Sequence, residues 1–280
     1  MIPEVHDPRQ RVREVLEANG FGWEEAKCRA IITSRVAMGL GSRDSEIDNL
    51  LGQYKFRKLL FWLTDKMSAG PFTTDSLRQN TGLNEQALRE YLDILNFHRL
   101  VNHIGDTWQM APEVGAATFG PTLERYVAQK FNGDLHWFAA SGVCLEDFAY
   151  NDFDVVAVRG QSIVVVECKL TDPDHVEDSH IEAFFERHEF LIPDFSLLLI
   201  DTDKPVGALA ERLTDYVLRR TGQSGQLVPP KELGSRASAF SVIQFIYVAS
   251  ANAKKTDGLL RSLQLCLRHY HSHRRVAVWG

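Results

Sequence analysis

Two short apolar runs lie close together near the middle of the chain, at residues 153–158 and 163–166. Both runs are rich in valine and isoleucine, and the four residues between them include Gly160. Glycine readily adopts the positive φ angle of tight turns, so the pattern predicts a β-hairpin. Because apolar residues occupy both faces of the predicted strands, we expect this hairpin to be central in its sheet and covered on both sides.

The pattern around the hairpin predicts alternating helices and strands from residue 116 to residue 280. A helix that carries Glu124 comes first, and a strand at residues 135–144 precedes the hairpin. The later elements are expected to be a helix at 174–190, a buried strand at 195–201, a helix at 206–219, a loop at 221–236, a strand at 240–249, a helix at 256–270 and an edge strand at 276–279. This order favours an α/β fold, a mixed sheet flanked by helices.

The first 52 residues show helical periodicity only. Helices are expected at residues 11–19 and 23–38, and a third is expected to begin at Ser45. Neither a strand pattern nor a glycine-rich phosphate loop occurs in this segment. We therefore interpret residues 1–52 as a helical N-terminal segment.

Residues 53–115 show the order of elements that is typical of a winged helix. The expected elements are helices at 54–67, at 75–80 with Thr74 as cap and at 85–97 with Asn84 as cap, then a hairpin of strands 100–104 and 107–110. Helix-turn-helix modules read the major groove with their second helix. Here that helix has an acidic balance, which repels phosphates, since it exposes Glu85, Glu90 and Asp93 against Arg89 and Arg99. We favour a spacer, dimerising or partner-docking role over sequence-specific DNA reading.

Composition adds limits to this picture. The chain has 280 residues, of which 44% are hydrophobic and 24% charged, as in an ordinary globular protein. No run approaches about 18 apolar residues, and the N-terminus lacks the apolar segment of a signal peptide. The cysteines are scattered, at Cys28, Cys144, Cys168 and Cys266, which argues against structural zinc and for a reducing compartment. We expect a cytoplasmic protein with no membrane partner, and the net charge of −6 means that nucleic acid must bind to local patches.

The hairpin also carries an unusual set of charges. A turn centred on residues 160–161 places Asp154 directly opposite Glu167, with Cβ atoms roughly 5 Å apart. Lys169 points to the same face, because side chains alternate along a strand. Two like charges opposite each other destabilise a sheet, whereas a divalent cation such as Mg²⁺ takes carboxylate oxygens. We therefore expect a metal site between Asp154 and Glu167.

Two neighbours of this pair have alternative roles. Asp152 shares the face of Asp154 and lies opposite Lys169 in the same register, so it either pairs with that lysine or takes the metal in place of Asp154. Cys168 faces away from Glu167 by strand alternation, so its side chain is expected to be a packed thiol of the core.

An aspartate, a strand, a turn, a strand and then Glu-x-Lys resemble the PD-(D/E)xK motif of the restriction-endonuclease-like nucleases. Here the motif is Asp154 followed by Glu167-Cys168-Lys169. Residues 120–127 resemble the first core helix of that fold and carry Glu124. The closer similarity is to the nuclease half of CRISPR-associated effectors activated by cyclic oligoadenylate, and it covers residues 116–205. The restriction-endonuclease-like fold is therefore expected for residues 116–280.

The resemblance implies a site for Mg²⁺ or Mn²⁺ made by the side chains of Asp154 and Glu167 and the backbone carbonyl of Cys168. It also implies that Lys169 positions or deprotonates the attacking water and that Glu124 supports a second ion or acts through a water. An ordinary exposed glutamate fits Glu124 equally well. The chain departs from those effectors at its start, where 52 helical residues cannot form their Rossmann-like sensor domain. The resemblance therefore implies no activating signal for this chain.

The C-terminal segment supplies the candidate nucleic-acid surface. Residues 251–280 carry many basic side chains and a single acid, Asp257. The candidate phosphate contacts are Lys254, Lys255, Arg261, Arg268, Arg274 and Arg275. An ordinary solvated face fits this pattern equally well.

Together these features predict a metal-dependent endonuclease that hydrolyses phosphodiester bonds with low sequence specificity; DNA is favoured as the substrate, and RNA is the alternative. We expect a homodimer, and the resemblance implies a role in defence against foreign nucleic acid. One alternative is a winged-helix binding or assembly protein whose nuclease-like domain is a non-catalytic scaffold. Another is a resolvase or repair nuclease for branched DNA, which requires a symmetric dimer and a larger basic face.

Overall fold

The computed structural model describes residues 7–25, 45–66, 70–112, 118–148, 152–222, 229–233, 238–243, 245–251 and 257–277. Within these residues the chain is mixed α/β, with a seven-stranded mixed sheet flanked by helices. This confirms the predicted α/β class. No helix of the described part is both long and apolar enough to cross a membrane.

The N-terminal half is helical apart from one small hairpin. Its elements are α1 (Pro8–Ala18), α2 (Ser45–Leu51), α3 (Tyr54–Phe61) with a π-helical turn at Trp62–Lys66, α4 (Thr74–Thr81), α5 (Glu85–Phe97), β1 (Val101–Ile104) and β2 (Thr107–Met110). Asn84 caps α5 as predicted, since its side chain accepts a 2.8 Å hydrogen bond from the Ala87 amide. The cap of α4 is Thr73 rather than Thr74, because Thr73 and Ser76 form a reciprocal capping box. The winged-helix interpretation of residues 53–115 stays a prediction.

The second half contains the large sheet and its helices. Its elements are α6 (Phe119–Gly133), β3 (Phe138–Val143), β4 (Phe153–Arg159), β5 (Ser162–Lys169), α7 (Asp178–Leu191), β6 (Phe195–Ile200), α8 (Gly207–Arg220), β7 (Lys231–Glu232), β8 (Ala239–Ile243), β9 (Ile246–Ser250) and α9 (Gly258–Ala277). The strand order is β3-β4-β5-β6-β9-β8-β7. Strands β3, β4 and β5 are antiparallel neighbours, whereas β5, β6 and β9 run parallel.

The hairpin β4–β5 has the predicted register, because Val155 pairs with Val166 and Val158 with Ile163. Both of its faces are buried, as expected. One face joins the main core with α6, and the other packs Val156 and Val165 against α1. The two strands of the hairpin thus carry apolar residues along their length and charged residues only near their ends.

Several expected elements differ in detail. The strand predicted at 240–249 is two antiparallel strands, β8 and β9, since the chain reverses near Phe245, whose φ is 54°. Both strands are buried, and a single polar residue, Gln244, separates them in the sequence, which is too weak a signal to predict a turn. The edge strand predicted at 276–279 is also wrong for its first two residues, because α9 continues through Ala277; residues 278–280 lie outside the described part.

Three further predicted segments also compare differently with the structure. The helix predicted at 174–190 begins at Asp178, after a 3₁₀ turn at Pro173–His175. The loop predicted at 221–236 contains the short strand β7. For the helix predicted at 23–38, residues 26–44 lie outside the described part, and Trp23 forms an isolated bridge with Leu145.

Candidate metal centre

The hairpin ends bring the predicted acidic residues together. Continuing the register beyond Val155 and Val166 places Asp154 opposite Glu167. The Cys168 amide donates a 2.7 Å hydrogen bond to Oδ2 of Asp154, which fixes that carboxylate against β5. Both acids are buried, so this pair is not the solvated pair of an ordinary strand end.

Three carboxylates converge at this place. Each of Glu124, Asp152 and Asp154 offers an oxygen, and the three oxygens lie within 4.8 Å of one another. Glu124 comes from α6, whereas the two aspartates come from the start of β4 and the residue before it. Glu124 is 7% exposed and Asp152 1% exposed, so neither is an ordinary surface acid. Carboxylate oxygens are the ligands that Mg²⁺ and Mn²⁺ prefer, so this group is a candidate metal centre.

Glu167 does not belong to that group of three, in contrast to the expected ligand set. Its Oε1 lies 2.9 Å from Nζ of Lys169, and its Oε2 lies 3.4 Å from Nε of Arg187. Lys169 thus pairs with Glu167 on its own strand, whereas the register had placed it opposite Asp152. Oε2 of Glu167 is buried and accepts no hydrogen bond, which leaves one carboxylate oxygen with coordination capacity.

Sequence reasoning missed Arg187. This buried side chain donates from Nε to the backbone carbonyl of Asp152 at 3.0 Å and from Nη1 to the carbonyl of Ala183 at 3.1 Å. It therefore ties α7 to the start of β4 and to Glu167. A signal was present in the sequence, because Arg187 lies at helical spacing between the buried residues Phe184 and Leu191.

The electrostatics of the site favour a bound cation. Burial raises the pKa of Asp154 well above its usual range, and the charges of Glu167 and Glu124 raise it further. Burial opposes the charge of Lys169, but the contact with Glu167 outweighs it and raises the pKa of that lysine. A divalent cation among the carboxylates would offset their mutual repulsion and so favour their charged forms.

Cys168 contributes its backbone and not its thiol. Its side chain packs against the main core, as predicted, and burial raises the pKa of the thiol well above its usual range. A protonated thiol is a poor nucleophile and a poor metal ligand. The backbone amide of Cys168 donates a hydrogen bond to Asp154.

The predicted nucleic-acid surface is described only in part. Arg261 and Arg268 are exposed on α9. Lys254 and Lys255 lie outside the described residues, as do the side chains of Arg274 and Arg275. The basic surface therefore stays a prediction.

Arg187→Lys tests the tie between α7 and the acidic site. Lysine keeps the charge but presents a single ammonium group, which cannot bond the Asp152 carbonyl and approach Glu167 in the same fork geometry. We expect the free energy of unfolding, measured by urea denaturation, to fall by roughly 1.5–3 kcal/mol. Arg219→Lys, on the exposed face of α8, is the matched control and should change it little. Equal effects of the two substitutions would contradict the role of Arg187.

Comparison with known proteins adds little to this geometry. No known family profile matches the chain. No curated protein matches it either. Among solved structures, protein VC1899 from Vibrio cholerae is similar over 91% of this chain, at 13% sequence identity and a TM-score of 0.44. The chain spans 62% of the length of that protein, and a likeness of this strength identifies neither a fold nor a function.

Proposed function

We propose that the protein is a nuclease that hydrolyses phosphodiester bonds with the help of Mg²⁺ or Mn²⁺. One observation carries the proposal: buried carboxylates from a helix and a hairpin meet beside a lysine that is already held by a glutamate. Buried acids of this kind cost stability unless a cation or a proton neutralises them. Their convergence on a strand end fits a catalytic centre better than a structural one.

The residues present fit such an ion. Asp154 belongs both to the converging group and to the ligand set that the nuclease resemblance implies, which also contains Glu167 and the carbonyl of Cys168. Glu167 keeps a buried oxygen without a hydrogen bond. When bound, the ion supplies polarisation of the scissile phosphate and a lower pKa for a coordinated water. Asp154 is therefore the residue on which the proposal depends most.

The side chains around the ion have separate roles in this proposal. Glu124 and Asp152 join Asp154 in holding the cation. Lys169 orients the attacking water and balances the negative charge that develops on the phosphate. Glu167 holds the Lys169 ammonium at 2.9 Å, and Arg187 holds Glu167 in turn.

The order of elements supports the same proposal. The helix with Glu124, three antiparallel strands, a helix and a parallel strand follow one another as α6, β3, β4, β5, α7 and β6. This is the order expected of the restriction-endonuclease-like fold, which we propose for residues 116–280. Residues 53–115 are proposed to be a winged helix and residues 1–52 a separate helical segment.

The substrate, the oligomeric state and the biological role are also part of the proposal. DNA is favoured over RNA, with low sequence specificity, since nothing base-specific was identified in the sequence. Phosphate contacts are assigned to the basic residues of the C-terminal segment. A homodimer and a role in defence against foreign nucleic acid complete the proposal.

Lys169→Met tests the proposed chemistry while leaving the carboxylates in place. Methionine has a similar length but lacks the ammonium group, so we expect Mn²⁺-dependent nicking of plasmid DNA to slow by about 10²–10³-fold, as when one preorganised charge donor is lost. Lys55→Met, an exposed lysine on α3, is the control and should cleave like wild type. Wild-type protein that binds DNA but cleaves neither DNA nor RNA would instead favour the non-catalytic scaffold.

A further inference from the structure

A cavity of about 510 Å³ lies between α3 and the carboxyl ends of β5 and β6. Leu170, Thr171 and Asp172 line it on the sheet side and directly follow Lys169 in the chain. The cavity therefore lies outside the carboxyl ends of the parallel neighbours β5 and β6, and this is the end of open α/β sheets at which ligands bind. The cavity thus begins one residue beyond the proposed catalytic lysine.

The helical side of the cavity is an aromatic stripe with one lysine. Its residues are Tyr54, Lys58, Phe61 and Trp62, which recur at helical spacing and are all partly exposed. Trp62 also begins the π-helical turn, and single turns of this kind occur frequently at functional sites. Partly exposed aromatic faces beside an amine suit a flat, polar ligand.

The charges of the cavity select the kind of ligand. Three cationic and three acidic side chains line it, so the lining carries no net charge. Asp201 is neutralised by the buried Arg57 at 2.8 Å, and Asp172 is paired with Lys204 at 2.9 Å. A compound with several phosphates gains little from a lining without net charge, whereas a neutral nucleobase finds aromatic rings and hydrogen-bonding groups such as Asn80 and Asp203.

We propose that this cavity holds an unstacked nucleobase of a single-stranded nucleic acid, next to the scissile phosphate. The base stacks on Trp62, while Tyr54 and Phe61 line the cavity beside it, and Lys58 contacts the adjoining phosphate. Proteins bind single strands by this combination of aromatic stacking and local positive charge. A base inside a duplex is already stacked and does not enter. The inference rests on the proposed nuclease function and makes single strands its preferred substrate.

The test measures binding in EDTA, so that cleavage does not enter the result. A short fluorescein-labelled oligothymidylate is titrated with the full-length protein and followed by fluorescence anisotropy, in parallel with the oligouridylate and with a duplex of equal length. We expect both single strands to bind more tightly than the duplex. The two single-strand arms show which sugar is preferred.

Three variants locate the binding. Trp62→Leu keeps apolar bulk but removes the ring, and it should weaken single-strand binding by roughly 5- to 150-fold, the loss of one stacking partner. Trp62→Phe retains a ring and should restore most of the affinity. Phe97→Ala, which removes a ring that is 79% exposed on α5, should leave binding unchanged.

This inference would be overturned by a duplex that binds as well as the single strands, or by Trp62→Leu with wild-type affinity. Absence of oligonucleotide binding by the wild-type protein would overturn it as well. Failure of the nuclease proposal gives a different result. Single-strand binding that depends on Trp62, without any metal-dependent cleavage, would rule out the proposed nuclease activity and still support the binding site.

Discussion

Asp154→Asn is expected to abolish metal-dependent cleavage and at the same time to stabilise the metal-free protein. Asparagine keeps an oxygen that accepts the hydrogen bond from the Cys168 amide, so the local backbone contact is retained. The substitution removes the negative charge that binds the cation. Since a catalytic metal stabilises transition-state charge by several kcal/mol, we expect the cleavage rate to fall by about a thousand-fold or more.

The gain in stability follows from the electrostatics of the metal-free site. Burial, Glu167 and Glu124 raise the pKa of Asp154 above its value in the unfolded chain. The folded protein therefore holds this proton more tightly, and the fold loses stability as the pH rises from about 4 through the raised pKa. Asp154→Asn removes that loss, so the variant should exceed wild type in stability above about pH 4 and equal it below.

Thermal unfolding in EDTA over a range of pH values measures this difference. Addition of Mn²⁺ should raise the Tm of wild type, because the ion binds the folded state, and should leave the Tm of Asp154→Asn unchanged. Asp93→Asn, an exposed carboxylate on α5, is the control for the loss of one charge. An Asp154→Asn protein that still cleaves, or whose Tm rises with Mn²⁺ as in wild type, would contradict the assignment of this metal centre.

Local patterns predicted the platform of this site well. Valine-rich runs around Gly160 fix a hairpin and its register, and the register alone places Asp154 beside Glu167. The position of Glu124 near them required a tertiary contact between a helix and a strand. Periodicity cannot supply such a contact, and here the resemblance to a nuclease helix supplied it.

Other parts of the site depend on side-chain conformations that a strand pattern does not determine. Strand alternation puts Asp152, Glu167 and Lys169 on one face. It does not determine that Lys169 forms an ion pair with Glu167, two residues away on the same strand. Arg187 reaches the site from a different element, 35 residues away from Asp152 in the chain. Long, flexible basic side chains choose partners through burial and hydrogen bonding, which depend on the whole fold.

The contact between α3 and the sheet was also beyond sequence reasoning. Arg57 lies between two other basic residues, Lys55 and Lys58, in the sequence, yet it is 0% exposed. Its guanidinium donates to both carboxylate oxygens of Asp201, at 2.8–3.1 Å, and to the carbonyl of Leu51 at 2.6 Å. This buried ion pair joins the helical half of the protein to the carboxyl end of β6.

Asp201→Ala is therefore expected to have the largest effect on stability. It leaves a buried guanidinium without its counter-charge, and breaking a pair of this kind costs about 3–5 kcal/mol. The double variant Arg57→Met/Asp201→Leu removes both charges and should recover most of that loss, since apolar residues of similar volume replace buried ion pairs at little cost. Free energies of unfolding from urea denaturation of wild type, Arg57→Met, Asp201→Leu and the double variant, combined in a double-mutant cycle, measure the coupling. Glu189→Ala is the control, because it breaks the exposed pair with Arg220 and should cost about 0–1 kcal/mol. If Asp201→Ala costs no more than Glu189→Ala, the buried pair does not hold the two halves together.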